Sequence, residues 1–154
     1  MEKRIANPAT IHLELLGQLK HGMIMNKKNL EEVPTEQGVY IVWLTETKKI
    51  CMKVGIATPR RKDGLKGRLM LHFRSNLRNS VLARHLQSDI RLSKGFKLDF
   101  NKKEDRQEFI MEHLCFQVLP LSTFTELMLR DFEKFLETDS GLNPRYCKKI
   151  IERV

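Results

Sequence analysis

Two apolar segments separated by a short polar stretch constrain the fold of this chain more than any other feature. Residues 38–44 read GVYIVWL, and residues 50–57 read ICMKVGIA. The first run is continuous and rich in β-branched and aromatic residues, which is typical of a strand buried on both faces. The polar residues 45–49 are few enough for a hairpin turn. The sequence therefore predicts a central strand and a strand that returns beside it.

The remaining elements are predicted from helical spacing and from turn residues. Apolar residues recur at helical intervals from Pro8 to about Met25, which predicts a first helix. Four more helices are predicted over residues 65–75, 79–92, 104–114 and 123–138, the last with Ser122 or Thr123 as its N-cap. Residues 94–103 fit a short strand or a loop, residues 115–121 a strand, and the tail from Pro144 a final helical turn or two. After the first helix, this order is two strands, three helices, a third strand and a last helix.

The composition of the chain indicates which kinds of molecule it is suited to bind. The chain has 154 residues, enough for one domain, with 28 Lys and Arg against 19 Asp and Glu, and a formal charge of +9. Such a charge favours nucleic acid first and an acidic membrane surface second, although excess lysine also keeps proteins soluble. Neither a Cys-x-x-Cys pair nor an apolar signal segment is present. We therefore expect reduced thiols, no zinc ribbon, no membrane association and a cytoplasmic location.

Tyr40 and Lys53 are the first candidates for chemistry. Tyr40 lies early in the first predicted strand and Lys53 in the returning strand, so the hairpin brings them close. Tyrosine is a general base only when its neighbours depress its pKa from about 10, and a nearby ammonium favours the phenolate. The alternative is an ordinary sheet tyrosine packed for its ring.

Arg68 and His72 are four residues apart on one predicted helix and therefore share a face. An arginine on that face can stabilise charge on phosphate oxygens, and the histidine can donate to a phosphate or orient the tyrosine. The alternative is a solvated basic face that contacts DNA without chemistry.

Glu133 lies on the last predicted helix, where periodicity does not distinguish it from other acids. The predicted buried side comprises Phe124, Met128, Phe132 and Phe135. The opposite stripe comprises Glu126, Arg130, Glu133 and Glu137, and Arg130 could pair with Glu126 or Glu133 as a surface network.

Five short patterns occur in a recognisable order. They are Gly38-Val39-Tyr40, Lys53-Val54-Gly55, Leu65-x-x-Arg68-x-x-x-His72, Glu133-x-x-Leu136 and Pro144-x-Tyr146. Over roughly residues 36–147 they resemble the GIY-YIG nuclease superfamily. The resemblance implies an α+β fold with a small antiparallel three-stranded sheet flanked by helices. It also implies a DNA endonuclease in which Tyr40 is the base or its partner, assisted by Lys53 or His72. Arg68 is then the phosphate clamp, and Glu133 holds one Mg²⁺ or Mn²⁺ per site.

The same resemblance divides the chain into an N-terminal helical extension, residues 1–35, and a nuclease domain, residues 36–154. We expect basic residues around the site to bind DNA, with a homodimer possible if both strands are cut. They are Arg60, Arg61 and Lys62 in a loop, and Arg74, Arg78, Arg84, His85 and Arg91 in an added element within residues 74–114. The alternative for the arginines of this element is that they are ordinary charges on helix surfaces.

Three positions depart from the family pattern. Lys53 stands where the family has tyrosine, Ile56 where it often has a basic residue, and Cys147 where it has asparagine. These departures favour an alternative function, a catalytically inactive GIY-YIG-like module that binds nucleic acid. A basic interaction module without a nucleic-acid role is a third alternative.

Overall fold

A three-stranded antiparallel sheet with helices on both faces forms the α+β fold of this chain. The computed structural model describes residues 8–22, 24–45 and 50–147. The strands are β1 (Gly38–Leu44), β2 (Cys51–Ala57) and β3 (Leu114–Pro120), in the order β2-β1-β3. The α-helices of the described ranges are α1 (Pro8–Lys20), α2 (Gly64–Arg74), α3 (Val81–Ser88), α4 (Ile90–Phe96), α5 (Lys103–His113) and α6 (Glu126–Thr138). None of the described helices is both long and apolar enough to cross a membrane.

The central strand β1 divides the core into two layers. Tyr40, Val42 and Leu44 pack with apolar residues of α2, α3 and α5 on one face of the sheet. Val39, Ile41 and Trp43 pack with residues of α1 and α6 on the other. Every residue of β1 and β2 is buried, as the continuous apolar runs predict.

Most predicted boundaries lie within one residue of those observed, but α1 is shorter than predicted. It ends at Lys20 rather than near Met25. The Gln117 carboxamide on β3 donates hydrogen bonds to the carbonyls of Lys20 and Gly22, at 2.8 and 2.9 Å. Met25 then exchanges two backbone hydrogen bonds with Phe116, each 2.7 Å long. The chain therefore leaves the helix in order to pair with the sheet.

The predicted helix over residues 79–92 is wrong, because Asp89 divides it into α3 and α4. Ser80 caps α3 by accepting from the Ala83 amide, and Asp89 caps α4 by accepting from the Leu92 amide. Residues 94–96, predicted as strand or loop, belong to α4.

The start of α6 also differs from the prediction. Its N-cap is Thr125, which accepts from the Met128 amide at 3.2 Å, rather than Ser122 or Thr123. The preceding residues are held in a turn because the Gln37 carboxamide donates to the carbonyls of Leu121 and Phe124.

The segment from Pro144 to Cys147 runs along the outer edge of β2. The amides of Arg145 and Tyr146 donate to the carbonyls of Cys51 and Met52, at 2.9 and 2.8 Å. Asp89 fixes both side chains, accepting from the Arg145 guanidinium at 2.6 and 2.8 Å and from the Tyr146 hydroxyl at 2.6 Å. The predicted turn beyond Thr45 and the predicted helical end of the tail lie outside the described residues.

Asp89→Asn tests how much this anchor stabilises the fold. Asparagine can still cap α4, but it lacks the charge that strengthens the bonds from Arg145 and Tyr146. Because Arg145 is partly exposed, we expect a loss of about 1–2 kcal/mol in the free energy of unfolding. Urea denaturation followed by Trp43 fluorescence measures it. The exposed Asp139→Asn is the control, and equal stability of the two variants would contradict the expectation.

Candidate active site

Four of the five predicted catalytic residues line one cavity. Tyr40, Lys53, Arg68 and Glu133 border a cavity of about 280 Å³, although they come from β1, β2, α2 and α6. The other predicted catalytic residue, His72, is fully buried and hydrogen-bonds to Tyr40. The fold thus brings all five predicted residues to one place.

Strand register explains how Tyr40 reaches this cavity. Tyr40 pairs with Gly55 on β2, and Lys53 pairs with Val42, so Tyr40 and Lys53 lie on the same face of the sheet. A Cβ atom at Gly55 would lie 2.2 Å from the Tyr40 hydroxyl oxygen, which is closer than real Cβ contacts occur. Glycine is therefore required for the tyrosine ring to cross in front of β2.

A buried hydrogen-bond chain extends behind Tyr40. The Tyr40 hydroxyl lies 2.7 Å from His72 Nε2, and His72 Nδ1 lies 2.9 Å from the Ser80 hydroxyl. Ser80 Oγ also accepts from the Ala83 amide. A neutral imidazole has one donor nitrogen and one acceptor nitrogen, so His72 donates to one of Tyr40 and Ser80 and accepts from the other.

Burial and charge oppose each other at Tyr40. Burial raises the pKa of Tyr40 above its ordinary value, and the positive charge and hydrogen bond of Arg68 partly offset this by lowering it. Glu133 raises the pKa of Tyr40 further, and Arg61 lowers it. The sequence predicted Lys53 as the cation that favours phenolate, but the main cation acting on the pKa of Tyr40 is Arg68. Tyr40 is consequently a neutral phenol in the resting protein.

Two buried histidines are held neutral by the same environment. Burial, followed by the charges of Arg68, Lys53 and Arg61, lowers the pKa of His72 well below its usual value. Burial, Lys53 and Arg84 lower the pKa of His85 to about 4. A neutral His72 can donate from one ring nitrogen and accept at the other, as the chain behind Tyr40 requires.

Arg68 presents an unsatisfied donor in this region. Its Nε atom is one of two buried side-chain nitrogens without a hydrogen-bond partner among the described residues, the other being His85 Nε2. An unsatisfied buried donor is costly. The Arg68 side chain also borders the first cavity, where its guanidinium could donate to an oxyanion. The arginine is therefore suited to bind an anionic ligand.

Glu133 lies on the buried side of α6, contrary to the predicted helix face. It is 7% exposed, next to buried Leu129, Phe132 and Leu136, whereas Met128, predicted to be buried, is 44% exposed. The prediction counted Phe124 as part of the helix, although α6 begins two residues later, and this rotated the predicted face. In the observed helix, Glu133 lies on the buried side and borders the first cavity.

Among the described residues that line the first cavity, Glu133 is the one carboxylate that could bind a metal ion. The described residues contain no group of three or more His, Cys, Asp and Glu side chains that could hold a metal ion. Mg²⁺ is nevertheless commonly bound through one or two carboxylates, with water and substrate phosphates completing its shell. Glu133 beside Arg68 fits that mode of binding, but not an all-protein metal cage.

The predicted DNA-binding residues fall into two groups. Arg61 borders the first cavity and also a second one of about 570 Å³, which is lined by Arg60, Lys62 and Arg74 as well. Arg78 and Arg84 border neither cavity. Arg84 instead donates to the carbonyls of Leu77 and Arg78 and so braces the turn before α3.

The sequence reasoning missed or misplaced several residues. His85, predicted within the DNA-contacting element, is only 8% exposed and packs against the Tyr146 ring at 4.8 Å between centroids. Arg130, read as part of a surface network with Glu126, borders both cavities and does pair with Glu126 at 3.3 Å. Ser80 was missed, although a serine directly before an apolar helical pattern is a recognisable N-cap signal.

Comparison with protein-family models, with curated proteins and with solved structures gave no match to this chain. A function for it must therefore be argued from the geometry and chemistry of its own residues.

The neutral histidines predict a pH-dependent stability. In the unfolded chain they titrate near pH 6.5, whereas their folded pKa values are lower, so the unfolded state gains protons first as the pH falls. The free energy of unfolding should be largest above pH 6.5 and should fall below it, by at most about 1.4 kcal/mol per pH unit for each histidine. Since the pKa of folded His85 is about 4, the loss should continue to that pH.

Urea denaturation at pH 7.5, 6.5 and 5.5 measures this dependence, with the single tryptophan, Trp43, as probe. His85→Gln should remove part of the slope, and substitution of the exposed His21 by Gln should leave it intact. Stability that is constant from pH 7.5 to 5.5 would contradict the expectation.

Proposed function

We propose that this protein is a metal-dependent DNA endonuclease of the GIY-YIG type. The observation that carries the proposal is that Tyr40, Lys53, Arg68 and Glu133 border one cavity. The resemblance implies the same four residues as catalytic groups, although they lie far apart in the sequence. The small three-stranded antiparallel sheet is consistent with the fold that the resemblance implies.

The charge of the cavity suits a phosphodiester. Its described lining carries four cationic side chains, Lys53, Arg61, Arg68 and Arg130, against one carboxylate, Glu133. Phosphate oxygens would accept from these cations and balance the excess positive charge. The neighbouring second cavity adds Arg60, Lys62 and Arg74 against the carboxylates of Asp63 and Glu126, so its net charge is also positive and suits further phosphates of the same strand.

The chain's own residues then divide the work of hydrolysis. Tyr40 borders the cavity and first loses its proton to solvent, and donors from His72 and Arg68 stabilise the resulting phenolate. In that form it accepts a proton from the attacking water. The water oxygen bonds to phosphorus as the bond to the 3′ oxygen breaks. The departing 3′ oxygen takes a proton from solvent water, giving a 5′-phosphate and a 3′-hydroxyl by family precedent. Arg68 stabilises the charge that develops on the phosphate oxygens.

Glu133 would hold the divalent cation, Mg²⁺ or Mn²⁺. Such an ion, when bound, supplies electrostatic stabilisation to the departing oxygen. Because the Glu133 charge raises the pKa of Tyr40, neutralising that carboxylate favours the phenolate. Glu133 would therefore affect both the stabilisation of the leaving oxygen, through the ion, and the pKa of the base Tyr40.

A second function, binding of nucleic acid without cleavage, is favoured by one observation. Burial raises the pKa of Tyr40, which works against a base, while the cationic cavity would bind phosphates regardless. The departures at Lys53, Ile56 and Cys147 point the same way. In both functions the partner is DNA and no membrane is involved; a homodimer is implied only if both strands are cut.

Nicking of supercoiled plasmid with Mg²⁺, Mn²⁺ or chelator tests the proposal. We expect metal-dependent cutting that falls at least about 100-fold in Tyr40→Phe and in Glu133→Gln, as loss of a catalytic base or metal ligand predicts. Tyr146→Phe removes the only other tyrosine hydroxyl, and Glu108→Gln removes an exposed helical carboxylate; both should cut within about tenfold of the wild type.

Undiminished metal-dependent cutting by Glu133→Gln would contradict the assigned metal ligand. Tight, salt-sensitive DNA binding by a wild-type protein that cuts nothing would favour the binding module instead.

A further inference from the structure

A third cavity lies beside the second cavity, further from the candidate active site. It has a volume of about 270 Å³ and lies between the 3₁₀ helix Lys27–Glu32, α2 and α5. It shares Met70 and Arg74 with the second cavity, which in turn shares Arg61 and Arg130 with the first. The three cavities are therefore neighbours along α2, and we call this row of cavities the groove.

The chemistry of the groove changes at this end. In the first two cavities cationic side chains outnumber carboxylates, by four to one and by five to two. The third is lined by Leu30, Met70, Phe73 and Met111, with Lys27 and Arg74 beside them. Lys27 Nζ lies 3.5 Å from the Met111 sulfur, and Gln107 is held at the wall by donating to the Arg74 carbonyl at 2.9 Å. An apolar cavity beside cations and an amide suits a flat, polar-edged ring that carries a phosphate.

We propose that this third cavity binds an unpaired nucleobase of the DNA strand whose phosphates occupy the cationic part of the groove. The proposal rests on the proposed function and names its substrate class, DNA with a single-stranded segment or junction. A base inside a duplex is paired and stacked, so only an unpaired base can enter a side cavity. Thioether and aromatic groups contact any base through its π-face, without reading sequence.

The length of α2 sets the position of this base. Arg68 and Arg74 are six residues apart, which corresponds to about 9 Å along a helix. At a rise of about 3.4 Å per nucleotide, the cavity lies two to three nucleotides from the phosphate bound at Arg68. Cleavage would therefore fall at a fixed short distance from the unpaired nucleotide.

Binding of a forked duplex and of a fully paired duplex of equal length tests the proposal. Fluorescence anisotropy in chelator gives both Kd values without cutting. We expect wild-type protein to bind the fork about tenfold more tightly, because one stacked base contributes about 1–3 kcal/mol. Met111→Glu, which places a carboxylate beside Lys27, should abolish this preference.

Met128→Glu is the matched control, because Met128 is 44% exposed on α6 where Met111 is 40% exposed on α5, and it borders none of the three cavities. It should retain the tenfold preference despite the same change in charge. Fluorescence of 2-aminopurine, placed in turn at each unpaired position of the fork, supplies a second measurement on the wild type. It should be quenched on binding most strongly at one position.

Equal wild-type affinity for fork and duplex, or equal preferences in the two glutamate variants, would overturn the inference. Metal-dependent cutting with no preference for the fork would refute the inference and retain the endonuclease. A preference that Met111→Glu abolishes, in a protein that cuts no DNA, would retain the cavity as a base-binding site and refute the endonuclease.

Discussion

The contact between the Tyr40 hydroxyl and Gly55 is the constraint on which the candidate site depends. Tyr40 lies on the central strand and is fully buried, so its ring must cross the neighbouring strand to meet Arg68 and His72. It can do so only because position 55 has no Cβ. The register of the hairpin, the docking of α2 and the hydrogen-bond chain to Ser80 are thereby coupled through one missing methyl group. An error in strand register would remove the glycine from this place and leave the cavity without its tyrosine.

The positive charge of Arg68 acts on both Tyr40 and His72. Arg68 lowers the pKa of Tyr40 and also lowers the pKa of His72. A cation that favours a phenolate in front of it therefore keeps the imidazole behind it neutral. Neutral imidazole can orient the tyrosine without adding another charge to a buried place, where an unpaired charge would be costly. The geometry thus separates the residue that faces an anionic ligand from the residue that positions the tyrosine.

The strands could be predicted from the sequence to within a residue because a short, continuous apolar run in a small domain is typical of a strand buried on both faces. That Tyr40 and Lys53 lie close together was predicted from the hairpin alone. The break at Asp89 was missed, although aspartate is a common N-cap residue. The side chains that fix Asp89, Arg145 and Tyr146, lie far along the chain, and no periodicity reveals their approach. The buried position of Glu133 was misjudged because the helix start was placed too early. Its nomination came from family resemblance, which records an arrangement that local patterns do not contain.

Both outer edges of the sheet are closed by short backbone pairings. Met25 covers β3 at Phe116, and Arg145 with Tyr146 covers β2 at Cys51 and Met52. Unpaired edge strands are templates for the addition of strands from other molecules, and closing them suppresses such addition. Self-association of this protein by sheet extension is therefore blocked at these two positions.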